Sequence, residues 1–423
     1  MKIVIVGNSA AAVGCIEAIR QHDKKVEIQV ITDEKYHTYS RPGITYLLGK
    51  KINEEKMLYR PLDFYKKHAI KTRFETKVTK VDTANKVVIT GIGEKIPYDK
   101  LLLGTGGIPF VPPIKGRFDH KSVFSYTKWE DAEKVMEVVK TRKKAVVIGA
   151  GMIGSKTVEG LSMIGCDVTV VELGKNVLGL ALDNTASSMV EARMKEKGVK
   201  VLTSNEVTEI YGKDDVEGVI MRDGDEIPCD FVIIAVGVFP NTEMVKGTDI
   251  EVNRGIVVNE KMETSAKDVY AAGDCAEGYD VLAEIKRPIP IWPVAYSQGK
   301  IAGLNMIGKN AVHQGNFPIN AIEFDGVPTI SVGITNPDEN AGFEVISEKE
   351  GNNYRKIVLK DDVVKGAVFV GDLTRSGLIT GLIERKEKIT EYKDELLGND
   401  LGFVHYKREL RDSKLTQNKN WLE

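Results

Sequence analysis

Ala145-Val-Val-Ile-Gly-Ala-Gly-Met-Ile-Gly154 is an apolar run that ends in Gly-x-Gly-x-x-Gly. It reads as a buried strand delivered into a turn that opens a helix. Each glycine has its own task. Gly149 permits the tight turn, Gly151 lets a pyrophosphate approach the backbone, and Gly154 lets the helix pack closely on the strand. Met152 and Ile153 start the helix, whose unpaired N–H groups are offered to the phosphates. Glu172 ends the next strand. A carboxylate there accepts hydrogen bonds from a ribose 2′-hydroxyl and repels a 2′-phosphate. That favours NADH over NADPH, and Lys175 nearby weakens the exclusion.

The N-terminus repeats the design about 140 residues earlier, as Ile3-Val-Ile-Val-Gly-Asn-Ser-Ala-Ala-Ala12. Here the pattern is Gly7-x-Ser9-x-x-Ala12, with Ala10 and Ala11 between, so serine and alanine stand where glycine is expected. Both are small, and the close approach of a phosphate survives. Asp33 or Glu34 ends the following strand and is placed to hold a ribose. Two such turns in one chain point to two redox nucleotides held together.

Strand, helix and strand are read at Lys2–Val6, Ser9–Gln21 and Val26–Thr32, and again at Lys144–Ile148, Ile153–Ile164 and Asp167–Val171. These βαβ units imply parallel sheets. Each is followed by a buried strand that breaks into a Gly-rich turn. The first is Leu101-Leu-Leu-Gly-Thr-Gly-Gly-Ile-Pro109, the second Phe231-Val-Ile-Ile-Ala-Val-Gly-Val-Phe-Pro-Asn241. The halves therefore look like internal duplicates. In Ala271-Ala-Gly-Asp274 an aspartate follows a strand and Gly273, where it can accept hydrogen bonds from a polyol. A helix is expected over Ala295–Ile307. From Phe317 the pattern changes to short alternating strands, at Glu323–Phe324, Thr329–Val332, Tyr354–Leu359 and Val363–Val370, closed by helices. The expected architecture is α/β: two Rossmann-like nucleotide-binding domains plus a small α+β C-terminal domain. Residues 1–113 and 243–315 are assigned to a discontinuous FAD-binding domain, 114–242 to an NAD-binding domain, and 316–423 to a C-terminal domain that completes the site or an interface.

Composition narrows the function. A net charge of −2 over 423 residues gives no support for binding nucleic acid or a polybasic membrane surface. No apolar run approaches the roughly 20 residues of a membrane span. The N-terminus enters a strand at once, with no signal-peptide pattern, so a cytoplasmic protein is expected. Cys15, Cys166, Cys229 and Cys275 are scattered without C-x-x-C spacing, which argues against a disulfide framework, an iron–sulfur site or a zinc site in this chain. The histidines are scattered too, and no metal is expected.

The order of these pieces resembles the FAD/NAD-linked pyridine-nucleotide oxidoreductases. The residues that carry the resemblance are Gly7–Ala12, Gly104-Thr-Gly106, Gly149–Gly154, Glu172, Gly237 through Pro240-Asn241, and Ala272-Gly-Asp274, and it covers about the first 310 residues. It implies that Gly7–Ala12 cradles the FAD pyrophosphate, that Thr105, Gly106 and Gly237 also line the cofactors, and that Asp274 binds the ribityl chain. The helix from Ala295 would then aim its N-terminus at the flavin pyrimidine edge. The C-terminal domain resembles that of the branch with rubredoxin reductases, the flavin portion of nitrite reductases, NADH oxidases and coenzyme A disulfide reductases. Lys365–Asp372 followed by Arg375–Thr380 is similar to its reductase end.

Oxidases, peroxidases and disulfide reductases of this branch carry a redox cysteine after the second strand. Here that segment is Tyr36-His-Thr-Tyr-Ser-Arg-Pro-Gly-Ile-Thr45, with Pro42 about where the cysteine would stand. A thiolate mechanism is unavailable there, and Cys275 is the one cysteine near the expected flavin. Tyr39-Ser-Arg-Pro42 instead resembles a Tyr-x-Arg/Lys signature that sets Arg41 beside the FAD. Lys156 stands where relatives often have glutamate, and its charge is expected to tune the flavin potential. The resulting expectation is an NADH:acceptor oxidoreductase whose electrons leave the flavin for rubredoxin or a ferredoxin-like iron–sulfur protein, with the reverse reaction, reduction of NAD, left open. The alternatives are an NADH oxidase reducing oxygen directly and a redox-sensing flavoprotein module. A homodimer through the C-terminal domain is expected, and Lys407, Arg408, Arg411 and Lys414 are a basic cluster suited to an acidic carrier.

Overall fold

Both apolar runs become central strands of parallel sheets in the computed structural model, which describes residues 1–390, 393–398 and 401–402. The basic cluster at 407–414 lies outside the described residues. Contacts gather the chain into two compact units, Met1–Leu173 with Ser204–Phe317, and Gly174–Thr203 with the described residues from Pro318 onward. No described helix is long and apolar enough to cross a membrane.

In the first unit one sheet runs in the order Val269–Ala271, Lys100–Leu103, Lys2–Val6, Glu27–Ile31, Ile70–Arg73, with every pairing parallel. The second sheet places Asp167–Val171, Lys144–Ile148, Phe231–Ile234 and Val123–Ser125 side by side, again in parallel. Ile3, Val4, Ile5, Leu101, Leu102, Val146 and Val147 are fully buried. Parallel strands covered on both faces need such unbroken apolar sequence, which is why the runs were legible.

The two halves match bond for bond. Gly7 N–H donates to Ile31 O at 2.8 Å and Gly149 N–H to Val171 O at 2.7 Å. Gly104 N–H donates to Val6 O, and Ala235 N–H to Ile148 O, both at 2.8 Å. Each half also carries an antiparallel insert, at Val78–Asp82, Val87–Thr90 and Lys95–Pro97, and at Val207–Tyr211, Gly218–Met221 and Glu226–Pro228. The βαβ reading does not anticipate these inserts. Their strands are short and half polar, so they lack the long apolar signature.

Helix Ala10–His22 packs backbone to backbone on helix Trp292–Met306. A Cβ on Gly299 would lie 2.0 Å from Ala11 O, one on Gly14 2.2 Å from Tyr296 O, and one on Gly303 2.7 Å from Cys15 O. The second helix begins three residues before the expected Ala295. Pro293 falls in its first turn, where a missing N–H costs nothing and the fixed φ suits the helix.

In the second unit an antiparallel sheet runs in the order Ile319–Phe324, Val327–Gly333, Val363–Val370, Asn353–Lys360, Glu344–Glu350. Glu344–Glu350 is a charged, exposed edge strand, and its only apolar residues, Val345 and Ile346, are adjacent rather than alternating, so the usual strand pattern is missing. Residues 174–203, assigned from sequence to the stretch 114–242, group by contacts with this sheet. Asp183 is the connection. It caps the helix Asn184–Glu196 through Ala186 N–H at 3.0 Å, and it accepts from Tyr354 Oη at 2.7 Å and Lys356 Nζ at 2.9 Å. Burial works against its charge, and these donors more than compensate, holding its pKa below the ordinary aspartate value.

Two outcomes test this packing. Gly299→Ala should cost about 3 kcal/mol, because two helix backbones must separate. Gly377→Ala, whose new Cβ meets open space, should stay within about 1 kcal/mol. Thermal melts of the two variants check the contrast. Asp183→Asn leaves Lys356 buried without its counter-charge and should loosen the C-terminal sheet by roughly 3 kcal/mol at neutral pH. A carboxylate with a depressed folded pKa stabilises above its unfolded pKa and loses that effect as pH falls through the folded value. The gap between wild type and Asp183→Asn, read by hydrogen exchange, should therefore hold above about pH 4 and close below it.

Candidate functional site

The first turn is forced by its neighbours. Gly7 has φ +113°, and a Cβ there would lie 2.0 Å from Gly104 O. Ser9 precedes helix Ala10–His22 without a side-chain cap, so the first N–H groups remain for a ligand. Helix Trp292–Met306 likewise has no side-chain cap. The two helices run in the same direction, since Ala11 faces Gly299 and Cys15 faces Gly303. Their N-termini meet at Gly273, whose Cβ position lies 3.3 Å from Ala295 Cβ and 3.6 Å from Ala11 Cβ. Gln298, fully buried, holds that turn by accepting Gly273 N–H at 2.8 Å. The structure thus brings Gly7, Ser9, Ala10, Ala11, Ala12, Gly273, Asp274 and Ala295 together from opposite ends of the first unit.

Glu34 and Asp33, left as alternatives by the sequence, have different surroundings. Glu34 is nearly buried and accepts from Arg41 Nη2 at 2.5 Å and Tyr39 Oη at 2.6 Å. Asp33 is half exposed and pairs with Lys128 at 2.9 Å. Arg41 opens the short turn Arg41–Gly43, and Pro42 within it is exposed. Burial works against the Arg41 charge, and Tyr39 and Glu34 more than restore it, so its pKa stands above the ordinary arginine value. Burial raises the Asp274 pKa, against the pull of Arg41.

The second turn repeats the first with a gap where the first is closed. Gly149 has φ +99°, and its Cβ would lie 2.6 Å from Ala235 O. A Cβ on Gly154 would lie 1.9 Å from Gly149 O. Gly151 has nothing within 4 Å of its Cβ position, so it borders open space. It also precedes helix Met152–Met163 without a side-chain cap, and Met152 and Ile153 form that helix's first turn. Glu172 folds back to accept Ala150 N–H at 2.7 Å. Thr105 Oγ1 donates to Asn241 O at 2.7 Å, and Asn241 N–H to Gly106 O at 2.9 Å. Gly107–Pro109 then pairs antiparallel with Val238–Pro240, so the turns at Gly106 and Gly237 are tied to each other.

Lys156 is not an isolated cation. Its ammonium pairs with the buried Glu159 carboxylate, lies 3.5 Å from Tyr46 Oη and stands 4.6 Å from that ring's centre. Lys51 approaches Glu159 at 3.8 Å. Sequence reading missed Glu159, Tyr46 and Gln298. It placed Tyr39 in the signature with Arg41 and gave it no partners of its own. The thiols are poor candidates for thiolate chemistry. Cys15, Cys229 and Cys275 are buried, and burial raises all three pKa values.

Uncapped helix N-termini, small residues at each turn and a carboxylate beside each fit two dinucleotides. The fold and site thus define a two-nucleotide redox scaffold. Residues 1–299 match the pyridine nucleotide-disulphide oxidoreductase family, and residues 318–387 match the rubredoxin NAD+ reductase C-terminal domain. The chain belongs to the pyridine nucleotide-disulphide oxidoreductase family, whose cofactors are FAD and NAD(P)H. It is 33% identical to a nitrite reductase [NAD(P)H] of Bacillus subtilis over 92% of its own length, and it spans 48% of that relative. The chain therefore covers about half of that protein. It is 31% identical to an NADH-rubredoxin oxidoreductase of Clostridium acetobutylicum, over 88% of this chain and 92% of that one. An NAD-dependent persulfide reductase structure from A. fulgidus superposes with a TM-score of 0.87 at 29% identity, covering 95% of this chain and 79% of that one.

Two glycines separate folding from binding. Gly154→Ala should destabilise the fold. Gly151→Ala should fold normally, and if the open space beside it takes the pyrophosphate, as the sequence motif leads one to expect, it should raise the KM for NADH by about tenfold. Melting temperature and steady-state kinetics check the pair.

Proposed function

We propose that this chain is an NADH-dependent flavoprotein reductase that delivers electrons to a small iron–sulfur protein of the rubredoxin or ferredoxin type. In this reading residues 1–113 and 243–315 hold FAD, and residues 114–242 hold NADH. The observation that carries it is the segment Tyr36–Thr45, which has no cysteine. With Cys15, Cys229 and Cys275 buried and their thiolates disfavoured, no sulfur beside the first turn is available to take up electrons. FAD, when bound, accepts a hydride and can release electrons singly. The chain's own residues do the rest. Gly149, Gly151 and the Met152 helix start bind one pyrophosphate, and Glu172 selects the ribose without a 2′-phosphate. Gly7–Ala12, Asp274 and Arg41 orient the other cofactor. Lys156, paired with Glu159, adds its charge as part of a compensated cluster rather than as a lone cation. The match of residues 318–387 to a rubredoxin reductase domain supports the choice of carrier. A homodimer through that domain belongs to the same reading.

The test is turnover of NADH with rubredoxin, ferredoxin, oxygen and coenzyme A disulfide, each supplied separately. Oxidation with rubredoxin or ferredoxin should outpace that with oxygen or coenzyme A disulfide. Rapid stoichiometric oxidation of the reduced protein by oxygen alone would sink the carrier reading and favour an NADH oxidase.

A further inference from the structure

A buried hydroxyl lies at the centre of the first site. The Tyr39 ring is 5% exposed, and its oxygen makes three hydrogen bonds. It donates to Glu34 Oε2 at 2.6 Å, and it accepts from Arg41 Nη1 at 3.2 Å and from Trp129 N–H at 3.1 Å. A phenol has one proton and room for two acceptor contacts, so this hydroxyl is fully committed and its direction is set. The other Glu34 oxygen takes Arg41 Nη2. Arg41 Nη1 also donates to Thr127 O at 3.2 Å. The loop that carries Tyr39 is tied to the Gly7 turn, since Asn8 Nδ2 donates to Tyr36 O at 3.0 Å. It is tied to residues 126–129 as well. Tyr126 Oη donates to Ile44 O at 2.8 Å, and Trp129 stacks on Tyr36 with centroids 4.6 Å apart. Residues 126–129 directly follow Val123–Ser125, a strand of the second sheet.

We propose that Tyr39 is a positioning residue. Its hydroxyl locks the Arg41 guanidinium and the Glu34 carboxylate in one arrangement beside the first turn, so that the FAD site is pre-set before the cofactor binds. The same oxygen anchors this pair to the backbone that leaves the second sheet. The inference rests on reading Gly7–Ala12 as the FAD site. Tyr39 then acts through Arg41, and its contribution vanishes when Arg41 cannot make the paired contact. Lysine has the charge of arginine but not its planar fork, so Arg41→Lys removes the geometry that Tyr39 holds.

The experiment measures FAD dissociation from the full-length holoprotein by flavin fluorescence on dilution, with the visible circular dichroism of bound flavin alongside. Tyr39→Phe should raise the FAD Kd about tenfold and alter the dichroism, since one buried donor and one charged donor lose their acceptor. In the Arg41→Lys background, Tyr39→Phe should add less than about twofold, the mark of residues that act as a unit. An unchanged Kd for Tyr39→Phe, or effects of the two substitutions that multiply independently, overturns the inference. Should Tyr39→Phe fail to fold, Glu34→Gln keeps the side chain's shape and removes the charged acceptor. It should weaken FAD to a similar degree, and an unaltered Kd overturns the inference equally. A wild-type protein that neither carries flavin absorbance nor takes up added FAD fails the FAD reading itself, a result separate from the behaviour of Tyr39→Phe.

Discussion

The contact between Gly299 and the Ala11 carbonyl, with its companions at Gly14 and Gly303, lets two helices far apart in the chain touch through their backbones. No side chain separates them, so their relative height is set by carbonyls and Cα atoms rather than by rotamers. Because they run the same way, their N-terminal turns both border the Gly273 turn. The Gly273 turn fits between them only because Ala11 and Ala295 are alanines, and Gln298 then pins it from the second helix. Asp274 follows directly and is carried to the same place. Widening this helix pair would separate the Gly7 turn from Asp274.

Duplication supplies a second turn built on the same bonds, but the two differ in charge. At the first, the nearby carboxylate is already engaged: Arg41 and Tyr39 occupy both Glu34 oxygens. At the second, Glu172 takes a backbone N–H from the turn itself. The first site therefore has a fixed cation among its carboxylates, and Arg41 opposes the rise that burial imposes on Asp274. Near the second turn the neighbouring cation, Lys156, is matched by the buried Glu159.

The sheets and turns were legible because their signals are local. Buried parallel strands must be apolar throughout, and a turn at φ +99° with a carbonyl 2.6 Å from its Cβ position must be glycine. The inserts at 78–97 and 207–228 were not, since a strand of three to five residues with one wet face looks much like a loop. The edge strand Glu344–Glu350 was invisible for the same reason, its charges being what keeps an edge from pairing with another chain. At the site, glycine positions could be read one by one, whereas Tyr39, Gln298 and Glu159 depend on partners distant in sequence or one helical turn away. Lys156 shows the limit most clearly. Its replacement of an expected glutamate was visible, and the Glu159 that balances it one turn along the helix was not.

The missing cysteine and the tied turns bear on the same question. If electrons entered and left through a thiol, the loop at 36–45 would need room for a reactive sulfur and its substrate. Instead the loop is filled: Tyr36 stacks on Trp129, Tyr39 is buried, and Arg41 is bonded on two sides. The ribbon of Gly107–Pro109 with Val238–Pro240 and the bonds from Tyr126 to Trp129 join the halves at separate points. These ties hold the Gly7 turn and the Gly149 turn in one braced unit. On the proposed reading, with no sulfur in the loop to relay charge, the acceptor would have to come to the flavin itself.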